Sequence, residues 1–222
     1  MIKAIVFDFD GTILDTETPW FEAFREAYRA RGAELSLETF SACIGTSLDA
    51  FNPYEFINTL IEKPVEPESF KKEIRDRHAA LMKQVRMQPG IQAYLDAAKQ
   101  AGLKIGLASS SSRAWIDKHV NLLGIAHYFD CIRTSDDVNK VKPDPELYRQ
   151  ALEALNVSPQ EAVAIEDSPN GSRAAVAAGM HCVVVPTPVT RSLAFDPACL
   201  MADCLTDVEF ERLVADPLAL AK

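Results

Sequence analysis

The sequence predicts an α/β fold: a doubly wound parallel sheet with an all-helical module inserted after its first strand. Three observations carry that prediction. Ala4-Ile5-Val6-Phe7 is a short apolar run of β-branched and aromatic residues, as expected of a strand buried on both faces. Residues 16–86 show helical periodicity throughout and nothing that reads as a strand. From Pro89-Gly90 onward, strand-like runs alternate with helical stripes, the signature of crossover connections in a parallel sheet.

Taken in order, the first strand ends at Asp8, and Asp10-Gly11-Thr12 forms an acidic turn. In the insertion, Thr18 and Pro19 suit a helix start, and Trp20, Phe21, Phe24, Ala27 and Tyr28 recur at helical spacing up to Gly32. A second helix is expected near Ser36. A third would start at Asn52-Pro53 with Tyr54, Ile57, Leu60 and Ile61 on its stripe, before Pro64 and Pro67 break it. A fourth, over residues 69–85, carries Phe70, Ile74, Leu81 and Val85. The sheet then resumes. Strands are expected over residues 104–108, 131–134, 162–165 and 182–185, each preceded by a helix. The tail over residues 187–205, rich in Pro, Ala and Asp, reads as surface wrapping, and a last short helix is expected over residues 207–214. The domain boundaries that follow are residues 1–15 with 87–222 for the sheet domain and 16–86 for the helical module.

Composition narrows the function classes. The chain of 222 residues has 48% hydrophobic and 25% charged residues, enough for a full core and a small second module. A net charge of -9 argues against nucleic acid as a partner, which needs a basic surface, and an anionic small molecule would need local cations or a metal. The five cysteines, Cys43, Cys131, Cys182, Cys199 and Cys204, are scattered and include no C-x-x-C pair, so reduced structural thiols are the default. The N-terminus enters the first strand without a charged leader, and no apolar run approaches a membrane span. The expected location is the cytoplasm, with no membrane partner.

Polar residues fall where the strands end. Asp8, Ser109 and Glu166-Asp167 each follow a buried strand, so a parallel sheet brings them to one edge, and Lys142 comes from a loop on the same side. Each has an ordinary explanation: Asp8-x-Asp10-Gly11 as an acidic turn, Ser109 as loop or cap, Lys142 as solvated surface, Glu166-Asp167 as the start of the next helix. Together they suit a magnesium-dependent phosphoryl-transfer site, in which hard oxygen ligands hold the metal and cations neutralise phosphate.

In that order and spacing the residues resemble the haloacid dehalogenase-like superfamily, in the helical-cap branch that includes β-phosphoglucomutase-like phosphatases. Asp8-x-Asp10-Gly11-Thr12 is similar to its first motif, Ser109 to its second, Lys142 with Pro143 and Pro145 to its third, and Glu166-Asp167 to its fourth. The resemblance covers essentially the whole chain. It implies a Rossmann-like core, a mobile cap and a phosphoaspartate mechanism in which Asp8 attacks phosphorus and Asp10 serves as acid and then base. A carboxylate approaching a phosphate is repelled by roughly 4 kcal/mol per charge pair at about 4 Å and an effective dielectric near 20. The resemblance therefore implies Mg²⁺, held by Asp8, Asp167 and the backbone carbonyl of Asp10, with Glu166 orienting ligands or bound water. It also implies phosphate contacts from Thr12, Ser109 and Lys142.

The expected reaction is hydrolysis of a small phosphorylated metabolite. The competing expectation is a β-phosphoglucomutase-type sugar phosphomutase, but the arginine that follows the cap glycine in those enzymes is missing from Ile44-Gly45-Thr46-Ser47-Leu48-Asp49. Arg77, on the stripe of Ile74 and Leu81, offers a cap contact to substrate, or else it snorkels to water over apolar surface. A non-catalytic regulator that binds Mg²⁺ and phosphorylated ligands is a third reading, opposed by the intact motif positions.

Overall fold

The computed structural model describes residues 1–41 and 51–217. Cys43 and the cap motif over residues 44–49 lie outside the described residues. The chain divides into two compact units: Met1–Leu14, Met87–Pro186 and Ala194–Lys222 form one, and Asp15–Arg86 with Thr187–Leu193 form the other.

The first unit is a six-stranded, all-parallel sheet with helices packed on it. Its strands are β1 (Ala4–Phe7), β2 (Lys104–Ala108), β3 (Cys131–Arg133), β4 (Ala162–Glu166), β5 (His181–Val184) and β6 (Leu200–Met201), in the order β3-β2-β1-β4-β5-β6. The order turns around at β1, with β2 and β3 to one side and β4, β5 and β6 to the other. That is the switch point at which open α/β sheets leave a crevice beyond their carboxyl ends. The register aligns Phe7 with Leu107 of β2 and Ile165 of β4, so all three strands end side by side. All four residues of β1 are buried, which explains why they read as an unbroken apolar run and not as an alternating one.

The helices of this unit are α5 (Ile91–Gln100), α6 (Arg113–Leu122), α7 (Glu146–Leu155), α8 (Pro169–Ala177) and α9 (Phe210–Ala215). Leu147, Ala151, Leu152 and Leu155 of α7 and Ala174, Ala175 and Ala178 at α8 join Ala4, Val6, Ala162 and Ala164 of the sheet in one buried cluster. Small alanines on both strand and helix bring α8 close to the sheet, which places its first turn beside Glu166.

The second unit contains α1 (Glu17–Arg29), α2 (Leu37–Ser41), α3 (Pro53–Phe56) and α4 (Pro67–Met82). Phe21, Phe24, Tyr28, Phe40, Ile57, Phe70 and Ile74 form its core. Arg31 and Arg77 tie α1 and its end to α4: Arg31 Nη2 lies 2.6 Å from Glu73, and Arg77 Nη1 lies 3.1 Å from Glu26. Ser41 Oγ donates to the Val189 carbonyl at 2.8 Å, which helps explain why Thr187–Leu193 groups with the helices.

The structure corrects several boundaries. The tail is not all surface wrapping, because Leu200–Met201 pairs with β5 as a sixth strand. Thr18 is not a cap; α1 starts at Glu17, and Asp15 Oδ1 accepts the Thr18 N–H at 3.0 Å. Pro67 does not break a helix but opens α4, where its missing N–H costs nothing and the Glu66 side chain accepts from Glu68 and Ser69. The third helix stops at Phe56, followed by a single 3₁₀ turn over Ile57–Thr59, and Leu60 is left exposed.

Candidate active site

Asp8 follows β1, and its backbone N–H still donates to Ile165 O of β4 at 2.9 Å, so the sheet itself fixes where this carboxylate starts. Glu166 closes β4 and Asp167 follows it. One carboxylate oxygen each from Asp8, Glu166 and Asp167 lie within 4.8 Å of one another, and all three residues are buried. Two glycines permit this crowding. A Cβ on Gly11, whose φ is +91°, would sit 2.1 Å from Asp167 Oδ2, and one on Gly171 would sit 1.9 Å from Glu166 Oε2. Any side chain at either position collides with a carboxylate.

Lys142 is the counter-charge. Its ammonium donates to Asp8 Oδ1 at 2.5 Å, Glu166 Oε1 at 2.7 Å and the Ala108 carbonyl at 2.8 Å, which uses all three of its donors. The Tyr148 hydroxyl donates to Glu166 Oε1 at 2.5 Å, and the Lys142 ammonium lies 4.8 Å from the centre of the Tyr148 ring. Glu166 Oε2 accepts the Asp167 N–H at 3.3 Å and the Ser168 hydroxyl at 3.4 Å. Both oxygens of Glu166 are therefore engaged by the protein.

The electrostatics follow from burial. Desolvation pushes the Asp8 carboxyl up to about 8; Lys142 pulls against it, while Glu166 and Asp10 push it further. Burial also works against the charge on Lys142, but the attraction of Asp8 and Glu166 outweighs it and holds the ammonium above the usual lysine range. One lysine thus stays charged between two carboxylates, and at Asp8 the cost of burial outweighs the pull of that lysine. Burial first, then Glu166, raises the Tyr148 phenol well above its ordinary value, so it acts only as a neutral donor.

Asp10 points elsewhere. Its Oδ1 accepts the Trp115 indole N–H at 3.0 Å, and its Oδ2 accepts the Ser111 hydroxyl at 2.6 Å and the Ser109 hydroxyl at 3.4 Å. Ser109 Oγ in turn accepts the Ser111 N–H at 3.0 Å. The Thr12 hydroxyl is 3.5 Å from Asp167 Oδ1. Asp8, Thr12, Lys142, Glu166 and Asp167 therefore form one contact network and Asp10 with Ser109 a second, both within the same unit. Arg77 lies in the other, where Glu73 and Glu26 hold its guanidinium.

Helix capping falls to neighbours of the expected residues. Ser112 caps α6, and Ser168 caps α8 by accepting the Gly171 N–H at 3.0 Å. Capping thus accounts for neither Ser109 nor Glu166-Asp167. Sequence reasoning missed Ser111, Trp115 and Tyr148. Tyr148 carried a usable signal, since a tyrosine on the apolar stripe of α7 needs a partner for its hydroxyl once buried. Trp115 carried none, because its reach to Asp10 depends on how α6 packs.

A buried carboxylate cluster with one lysine, at the switch point of a parallel sheet, defines a site suited to a divalent cation and an anionic group. The chain belongs to the haloacid dehalogenase-like hydrolase family, which residues 5–185 match. Among its relatives, YhcW of Bacillus subtilis (strain 168) is 44% identical over 214 residues, spanning 96% of this chain and 97% of that protein. The phosphorylated carbohydrates phosphatase of Thermotoga maritima is 29% identical, spanning 96% and 97%. The crystal structure of β-phosphoglucomutase from Clostridium difficile superposes with a TM-score of 0.68 at 27% identity, spanning 96% of each chain.

Proposed function

We propose that this protein is a Mg²⁺-dependent phosphatase that hydrolyses the phosphomonoester of a small phosphorylated sugar through a phosphoaspartate on Asp8. The observation that carries the reading is the Asp8-Lys142-Glu166 contact beside Asp167. It supplies a buried carboxylate in need of charge compensation at the mouth of the sheet. The Thermotoga maritima relative named as a phosphorylated carbohydrates phosphatase supports the substrate class.

The donor set fits a hard divalent cation, because three carboxylates face one ammonium. With both Glu166 oxygens engaged by the protein, Asp8 and Asp167, with the Asp10 backbone carbonyl, are the groups that would hold Mg²⁺. Bound there, Mg²⁺ would neutralise charge between Asp8 and the incoming phosphate. Lys142, itself held by Glu166, fixes the Asp8 carboxylate, and Tyr148 fixes Glu166. Asp8 attacks phosphorus, Asp10 protonates the departing alkoxide, and Asp10 then takes the proton of the water that releases phosphate from Asp8. Thr12 and Ser109 contact the transferring oxygens, and Lys142 joins them as an incoming phosphate oxygen replaces one of its three present acceptors. Arg77 is left out of this set because Glu26 and Glu73 occupy it.

The test is a screen of phosphorylated metabolites with and without Mg²⁺. Phosphate release from sugar phosphates only in the presence of Mg²⁺ is expected. Release independent of the metal, or isomerisation of a glucose phosphate faster than its hydrolysis, would overturn the reading, the latter in favour of a mutase.

A further inference from the structure

We propose that Trp115 is a positioning residue for Asp10, holding by its indole N–H the carboxylate that exchanges protons with the reacting oxygens. This inference rests on the role given to Asp10 above.

The two oxygens of Asp10 face different chemistry. Oδ1 faces the Trp115 indole N–H at 3.0 Å, a group that donates and has no acceptor. Oδ2 faces the hydroxyls of Ser111 at 2.6 Å and Ser109 at 3.4 Å, which can turn to donate or to accept. A proton on Asp10 therefore resides on Oδ2, and Oδ1 serves as the fixed end of the carboxylate. In the first half-reaction the proton on Oδ2 passes to the leaving alkoxide oxygen as its bond to phosphorus breaks and the phosphoryl group joins Asp8. In the second, Oδ2 takes a proton from water as the water oxygen bonds to phosphorus and the bond to Asp8 breaks. Both steps balance without a co-reactant.

The indole is itself anchored. His119 is buried, its ring centre 4.0 Å from that of Trp115 and 6.1 Å from that of Phe9, and His119 Nδ1 lies 2.8 Å from the Trp115 carbonyl. Phe9 is fully buried between Asp8 and Asp10 in sequence, so the chain from Phe9 through His119 and Trp115 returns to Asp10 as a closed circuit. Trp115 is only half-buried, so desolvation alone does not demand a partner for its N–H. The bond to Asp10 is a placement, and loose placement of a reacting group slows chemistry.

Trp115→Phe keeps an aromatic ring beside His119 and removes the N–H. Its kcat/KM, measured with Mg²⁺, should be compared for 4-nitrophenyl phosphate, whose leaving group needs no proton, and for the alkyl phosphate turned over fastest in the metabolite screen. A loss of roughly tenfold or more for the alkyl ester, with less than about threefold for the aryl ester, is expected when general-acid catalysis is impaired. Equal losses, or none, would overturn the proposal. The indole N–H resonance of Trp115, followed by NMR in wild type and Asp10→Ala, gives a second readout. It should move when the acceptor is removed, and an unchanged resonance would overturn the contact. If wild type hydrolyses neither ester, the phosphatase reading fails, and the resonance still decides whether Trp115 holds Asp10.

Discussion

Asp8 concentrates the physical tension of the molecule. A carboxyl whose folded pKa of about 8 lies above its ordinary 3.8 binds more protons folded than unfolded, so its contribution to stability falls as pH rises between those values. Asp8→Asn keeps an acceptor for Lys142 and removes the charge. Without a divalent cation, this variant should melt a few degrees above wild type at pH 9, with a gain that shrinks toward pH 5. Thermal unfolding by circular dichroism checks this, and an Asn variant less stable than wild type at pH 9 would contradict it. Gly171 is the second sensitive position. In Gly171→Ala the new methyl displaces Glu166, which holds Lys142 and Tyr148, and a shift of about 1 Å at reacting groups costs on the order of 100-fold in rate. A kcat within threefold of wild type would show that Glu166 tolerates movement.

At the scale of elements, the helical unit depends on pairings that acid removes. His78 of α4 is buried and stacked on Trp20 with ring centres 3.7 Å apart, and burial holds its pKa below the ordinary 6.5 while the Thr16 backbone pulls the other way. Its neutral form is favoured in the fold, so stability is full above about 6.5 and declines as pH falls below that value. Glu73 follows at lower pH. Its bond from Arg31 lowers it below 4.5, giving stability that is present above 4.5 and lost as pH falls through its folded value. His78→Phe should retain the stack and flatten the loss of melting temperature between pH 7 and pH 5. Trp20 fluorescence in a Trp115→Phe background reads that transition locally. An unchanged slope would remove His78 from the account. Phe70→Ala, which empties a fully buried site where α4 meets Tyr54 and Arg31, should cost about 3–5 kcal/mol in denaturant unfolding.

For the molecule as a whole, strands buried on both faces announced themselves as apolar runs, and residues ending those strands were legible as one cluster because parallel register aligns their carboxyl ends. Leu200–Met201 was not legible, because two residues carry no periodicity and only pairing with β5 makes them a strand. Pro67 was misread because a proline breaks a helix interior but suits a helix start, and its neighbours decide which. Ser111, Trp115 and Tyr148 reach the site from a loop or a helix, and tertiary packing places them. The central claim is that Asp8 carries the phosphoryl group. Wild type should be mixed with Mg²⁺ and its fastest substrate, quenched in acid within the first turnover, and mapped by mass spectrometry. A phosphoryl adduct on Asp8, absent from Asp8→Asn, is expected; an adduct elsewhere, or turnover by Asp8→Asn at the wild-type rate, would contradict Asp8 as the carrier.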